Sequence, residues 1–366
     1  MASKTIAVLP GDGIGIEVTA AAERILRSVR PDCTYEHADA GAAALDRCGL
    51  AYPPETRELC ERSIAILFGA VGHPRYDAAP AGKRPEDAIL SLRKEFDLFA
   101  NLRPVKMIPG LEDASSLKLA FVVGVDLLVV RETTSGLYFG EPKKTTTENG
   151  IVTAVDTLLY RQPEIERVAR TAFELARKRR KRVASVDKQN VLETGRLWRR
   201  VVIETHRAYP DVELEHLLVD NAAMQLLRDP RRFDVLLTEN TFGDILSDEA
   251  GMLTGSLGNL PSATLGTRAN EFGGRFGLYE PISGSAPDIA GQGIANPVAA
   301  ILSAALLCRY SLNDEASAAR IEEAVNRAIA SGARTRDLAR EGETVLGTQA
   351  FTDRVAEMLV PLTTSC

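Results

Sequence analysis

Apolar residues along the chain follow two alternating rhythms. Short apolar runs predict buried strands at 63–68 and 125–130, and further strands are expected at 5–9, 182–186, 212–219 and 235–238. Between them, apolar positions recur at helical spacing: Val18, Ala21, Ala22, Ile25 and Leu26 fall on one side of a helix over 17–29. Further helices are expected over 85–99, 164–178 and 192–208. Strands without polar alternation, interleaved with helices, indicate an α/β fold whose sheet is covered on both faces. The helical rhythm fades from 138 to 162, where β-branched residues flank Asn149-Gly150, so an arm-like hairpin is expected within 140–162. The C-terminal third returns to helices, and 294–310 is apolar nearly all round, which predicts a buried helix.

At 366 residues the chain exceeds what one core usually serves, so two domains or one large α/β unit are expected. Hydrophobic residues at 45% and charged residues at 26% exclude a largely disordered chain. No apolar run is long enough to cross a bilayer, and the N-terminus lacks a signal-peptide pattern, so no membrane partner and a cytoplasmic location are expected. The cysteines, Cys33, Cys48, Cys60, Cys308 and Cys366, are odd in number and scattered, indicating neither a disulfide framework nor a zinc site. A run of six cations, Arg177-Lys-Arg-Arg-Lys-Arg182, closes a helix, where positive charge meets the negative end of the helix dipole. With a net charge of -6, a nucleic-acid partner is not expected.

Candidate chemistry gathers at the ends of the predicted strands. Gly11 and Gly13 follow the first strand, but the third glycine of a dinucleotide fingerprint would fall at Ile16, so the loop reads as a tight strand-to-helix turn and not an ordinary Rossmann site. Arg93, Arg103 and Arg131 each present a planar fork that pairs with carboxylates, and three converging forks would suit a dianionic substrate. Asp244 and Asp248 lie one helical turn apart just after a strand, an arrangement that a hard cation between them would make tolerable. With neither Cys nor His nearby, Mg²⁺ or Mn²⁺ fits better than zinc. Lys188 and Asp220 also sit at strand ends, where open α/β sheets collect their active sites.

Taken together, Leu9-Pro-Gly-Asp-Gly-Ile-Gly15, Asn101-Leu-Arg-Pro104, Tyr138-Phe-Gly-Glu-Pro142, Ser185-Val-Asp-Lys188, Asn240-Thr-Phe-Gly-Asp-Ile-Leu-Ser-Asp248, Gly284-Ser-Ala-Pro-Asp-Ile-Ala-Gly291 and Ala295-Asn-Pro297 occur in the order found in the β-decarboxylating hydroxyacid dehydrogenases. The chain resembles the isocitrate/isopropylmalate branch of that family over nearly its whole length. The resemblance implies an isopropylmalate dehydrogenase-like two-domain α/β fold, with a mixed sheet running through both domains and no ordinary Rossmann unit. Its expected domains are 1–98 plus 256–366 on the cofactor side, and 99–255 with the dimer interface and the arm.

The resemblance further implies oxidation and decarboxylation of a malate-like acid. Ile89 and Leu90, on or near the helix face of Arg93, suit an isopropyl group and would leave a third carboxylate unpaired, which favours 3-isopropylmalate and leucine biosynthesis over isocitrate, homoisocitrate or tartrate. By the same resemblance Arg93, Arg103 and Arg131 bind the substrate's carboxylates, Asp220 joins Asp244 and Asp248 at the metal, Lys188 is the base and Tyr138 the proton donor. NAD is implied over NADP because Asp288 falls at the adenosine ribose, in the loop of Gly284, Ser285, Ala286 and Pro287. Ile289 and Asn296 are implied at the adenosine, and Ile14 and Glu86 toward the nicotinamide. Ser283 replaces a histidine frequent among relatives, so a ring contact to adenine is not expected. The family pattern implies a homodimer in which Lys188 and Asp220 enter the partner's site.

Overall fold

The computed structural model describes residues 4–80 and 82–359; Cys366 lies outside them. Twelve strands are assigned among these residues. In chain order they are β1 (Thr5–Gly11), β2 (Thr34–His37), β3 (Ala65–Ala70), β4 (Ala100–Lys106), β5 (Asp126–Glu132) and β6 (Lys144–Glu148). There follow β7 (Ile151–Val155), β8 (Arg182–Asp187), β9 (Glu213–Leu218), β10 (Val235–Thr238), β11 (Pro261–Ala269) and β12 (Arg275–Pro281). The chain divides into two compact units, Met1–Leu98 with Met107–Leu119 and Thr254–Cys366, and Phe99–Lys106 with Ala120–Leu253.

In the first unit the strands run in the order β2-β1-β3-β12-β11, parallel except for the β11–β12 pair. Every residue of β3 is buried, as its unbroken apolar sequence requires of a strand covered on both faces. The helix Gly15–Val29 buries Val18, Ala21, Ala22, Ile25 and Leu26. The helix Val298–Tyr310 buries ten of its residues on all sides, and Glu315–Ala330 packs against it. Met107–Leu119 groups with this unit, although 99–255 is the span expected for the second domain. Leu111 is buried there, Arg334 Nη2 donates to the Gly110 carbonyl at 2.8 Å, and Arg340 pairs with Asp113 at 2.7 Å.

In the second unit the order is β4-β5-β10-β8-β9, with β4 antiparallel and the remainder parallel. Around these strands lie the helices Gln162–Arg177, Glu193–His206, Val219–Arg228 and Asn240–Gly251. The hairpin β6–β7 turns at Asn149 and Gly150, both at positive φ (51° and 79°), and exposes Ile151 and Val152. The basic run is consumed by local pairing. Arg177 and Lys181 meet Asp211, Arg179 meets Asp126 and Asp234, and Arg182 meets Glu213.

Two expectations about elements need correction. The helix expected over 85–99 spans only Asp87–Glu95; Asp97 at φ 48° turns the chain into β4, so Arg103 sits on a strand. The C-terminal third is not helical throughout, because β11 and β12 form an antiparallel pair within it.

Candidate functional site

The β4–β5 register explains how two arginines separated by 27 intervening residues meet. Asn101 lies opposite Arg131, and Arg103 is two residues along the same strand, so all three side chains project from one face. The helix Asn240–Gly251 packs on β4 and β5 and brings Asp244 and Asp248, one turn apart, to these guanidinium groups. Arg103 donates to Asn101 Oδ1 at 2.7 Å, Ser247 Oγ at 2.6 Å, Asp248 Oδ1 at 3.2 Å and Asp244 Oδ1 at 3.4 Å. Arg131 Nη1 reaches Asp244 Oδ1 at 2.5 Å, and the Tyr138 hydroxyl donates to Asp244 Oδ2 at 3.0 Å. Gly243 permits this approach, because a Cβ there would lie 2.6 Å from Arg131 Cγ and 2.3 Å from Thr238 Oγ1. Burial, then the Asp244 charge, raises the Tyr138 phenol above its ordinary pKa. Burial likewise raises the Asp248 carboxyl, opposed by Arg103.

Lys188 and Asp220 form a second constellation in the same unit. Lys188 follows β8, Asp220 opens the helix after β9, and Nζ meets Oδ1 at 2.5 Å. That bond holds the Asp220 carboxyl below its usual pKa. Beneath Lys188, the buried Asp187 carboxylate accepts from Arg199 Nε at 2.7 Å and Nη2 at 3.1 Å, and from the Gln189 N–H at 3.1 Å. A small apolar cavity walled by Tyr160, Trp198 and Phe242 adjoins the lysine. Within one chain, Asp220 is engaged by Lys188 while Asp244 and Asp248 are engaged by arginines. No three His, Cys, Asp or Glu side chains gather to hold a metal among the described residues.

The first unit carries the other sequence-selected residues. Arg93 is buried on the helix Asp87–Glu95, with Nη2 3.2 Å from Glu280 Oε1. Ile89 is 8% exposed and packed into the core, whereas Leu90 is only partly buried against it. The glycine loop turns out to serve close backbone packing. Cβ atoms at Gly11, Gly13 and Gly15 would lie 2.0 to 2.4 Å from the carbonyl oxygens of Ala70, Ser285 and Pro10. Ile14, itself buried, donates its N–H to the Ser285 carbonyl at 2.8 Å, which ties the 284–287 loop to the turn. A Cβ at Gly72 would meet both Glu86 Oε1, at 3.2 Å, and Ser285 Oγ, at 3.3 Å. Gly284, Pro287 and Asp288 are exposed, Ala286 takes a positive φ of 38°, and Ile289 donates back to its carbonyl. The Asn296 amide is engaged by Asn259, Asp337 and the Val298 N–H, each at 3.0 Å.

Sequence reasoning missed Asn101, Ser247, Asn240 and Asp12. The buried Asp12 carboxylate accepts from the N–H groups of Ala42, Ala43 and Gly72 at 2.9 to 3.1 Å. Its position inside the glycine loop was the only available signal.

The fold and these constellations define a class. The chain belongs to the isocitrate/isopropylmalate dehydrogenase family, whose pattern matches residues 5–355, and is thus a decarboxylating dehydrogenase. Within it, the chain is 52% identical to 3-isopropylmalate dehydrogenase of Priestia megaterium over 98% of this chain and 96% of that protein. It is 53% identical to the Bordetella parapertussis protein of the same name, over 97% and 99%. Among solved structures, isocitrate dehydrogenase from Methylococcus capsulatus superposes with a TM-score of 0.86 at 33% identity, over 97% of this chain and 99% of that one. A β-decarboxylating dehydrogenase from Thermococcus kodakarensis gives 0.77 at 36%, over 97% and 96%.

Proposed function

We propose that the chain oxidises and decarboxylates (2R,3S)-3-isopropylmalate to 4-methyl-2-oxopentanoate and CO₂, with NAD as oxidant, as a step of leucine biosynthesis in the cytoplasm. The observation that carries this reading is the gathering of Arg103, Arg131, Tyr138, Asp244 and Asp248 on one face. Arg93, Arg103 and Arg131 bind the two substrate carboxylates, and Leu90, backed by the core residue Ile89, receives the isopropyl group. Ile14, Glu86, the 284–287 loop, Asp288, Ile289 and Asn296 form the cofactor side. The exposed Asp288 carboxylate accepts from ribose hydroxyls and repels a 2′-phosphate, favouring NAD over NADP.

The donor set fits a hard divalent cation, Mg²⁺ or Mn²⁺, because Asp244 and Asp248 offer only oxygen and stand one turn apart. A third carboxylate would come from Asp220 of the partner subunit. Such a partner is supported by an exposed apolar face on the helices Val219–Arg228 and Asn240–Gly251 and the residue after them, where Met224, Leu227, Ile245 and Met252 are 61%, 46%, 62% and 43% exposed.

A divalent cation held by Asp244 and Asp248 would supply polarisation of the C2 oxygen, and NAD would supply the hydride acceptor. Lys188 of the partner subunit, acting as the neutral amine, takes the hydroxyl proton as C2 loses its hydride. The C3–carboxylate bond then breaks, its electron pair stays with the substrate as an enolate, and CO₂ leaves. Tyr138, protonated as a phenol at neutral pH, delivers its proton to C3.

A second reading, a related acid such as isocitrate, homoisocitrate or tartrate, draws on the likeness to the Methylococcus capsulatus structure. Reduction of NAD should be fastest with 3-isopropylmalate and vanish with a chelator. A higher kcat/KM for isocitrate, or undiminished turnover in chelator, would overturn the proposal.

A further inference from the structure

Asn240 is fully buried at the first position of the helix Asn240–Gly251. Its side-chain oxygen accepts from Arg131 Nη2 at 2.8 Å and Nε at 3.2 Å, and its backbone oxygen accepts from the same Nε at 2.9 Å. Its amide nitrogen donates to the Ser135 carbonyl at 2.9 Å, three residues before Tyr138. Its backbone N–H donates to the Tyr160 hydroxyl at 2.9 Å. One residue thus ties together the end of β5, the loop leading to Tyr138 and the helix that carries Asp244 and Asp248.

Such a junction has chemical consequences that simple packing lacks. Two nitrogens of one guanidinium meet oxygens of a single residue, which fixes the plane of the Arg131 fork. A carboxylate clamp depends on that plane, and a misplacement of about 1 Å away from the chemistry can cost about 10²-fold in rate. From below, Tyr160 holds the helix start, with its hydroxyl 3.3 Å from both Glu132 and Glu239. Each of these three side chains is buried, so the anchor is rigid.

We infer that Asn240 is the positioning residue of the proposed diacid site, setting the Arg131 guanidinium and the approach of the Tyr138 loop without touching the reacting atoms. This rests on the functional reading given above.

The test uses the full-length protein with Mg²⁺ and four variants: Asn240→Ala, Asn240→Asp, Arg131→Lys and the double variant Asn240→Ala with Arg131→Lys. Calorimetry without NAD reads the Kd of 3-isopropylmalate; the Kd of NAD, kcat and Tm are measured in parallel. Asn240→Ala should weaken diacid binding and lower kcat by about 10-fold or more each, with NAD binding within about twofold. Asn240→Asp preserves shape and guards against a folding failure. It replaces the N–H aimed at Ser135 by an oxygen, so kcat should fall while Tm drops by only several degrees and the protein stays folded at the assay temperature. In the double variant the losses should fall well short of additive, because Asn240 acts through Arg131.

A folded Asn240 variant with diacid Kd and kcat within about threefold of the parent overturns the inference, as do additive losses in the double variant. If Arg131→Lys alone leaves diacid binding and turnover intact, the functional reading of the site fails, and the inference with it. If Arg131→Lys loses both while the Asn240 variants lose neither, only the inference fails.

Discussion

The carboxylate of Asp12 receives N–H groups from chain segments about 30 and 60 residues away, at Ala42, Ala43 and Gly72. Such a role is invisible in one sequence, because backbone donors carry no residue signature. Asp244 and Asp248 were legible for the opposite reason: their spacing and the acidity of both side chains are written in the chain. His216 on β9 yields a testable pH effect. Both ring nitrogens are buried without a hydrogen-bond partner, and burial, then the Arg199 charge, pushes the imidazole below its ordinary pKa. The folded state therefore prefers the neutral ring. Below about pH 6.5 the unfolded chain takes up the proton first, so stability held at neutral pH declines as pH falls toward the folded value. Denaturant melts between pH 7 and pH 5 should show this decline, and His216→Leu should flatten it; an unchanged slope in the variant would contradict the assignment.

At the scale of elements, apolar runs located β1, β3, β5, β8 and β10, because a strand covered on both faces has little choice of composition, whereas β9, with Glu213, Glu215 and His216, is only partly buried. β4 is not among the strands the sequence predicts. Its Asn101, Arg103 and Pro104 break the apolar run, and only pairing with β5 shows why two polar residues lie buried there. The convergence of Arg103 with Arg131 was thus beyond the sequence, since it depends on a strand register that spacing along the chain does not encode. On the facing helix, a Cβ added at Gly243 would lie 2.6 Å from Arg131 Cγ. Gly243→Ala must displace that side chain or the helix, at about 1–3 kcal/mol of overpacking. Its KM for the diacid should rise at least about tenfold while NAD binding holds, since the overpacked contact lies at the arginine and not in the loops proposed to hold the cofactor. An unaltered diacid KM would show that Arg131 tolerates displacement.

At the scale of the whole molecule, the family pattern spans both compact units, so each belongs to the same enzyme fold. One chain presents Tyr138 beside Asp244 and Asp248, and separately Lys188 beside Asp220. A metal set of three carboxylates does not form among the described residues of one chain, and an apolar helix face is left uncovered. Both features fit the proposed two-fold dimer, in which the subunits would exchange the lysine constellation. Mixing Lys188→Ala and Tyr138→Phe proteins, each inactive alone, tests it most directly. After verified subunit exchange, half the dimers are mixed and each has one intact site, so about a quarter of parental activity should return. No recovery in a mixture shown to contain the mixed dimer would contradict the shared site.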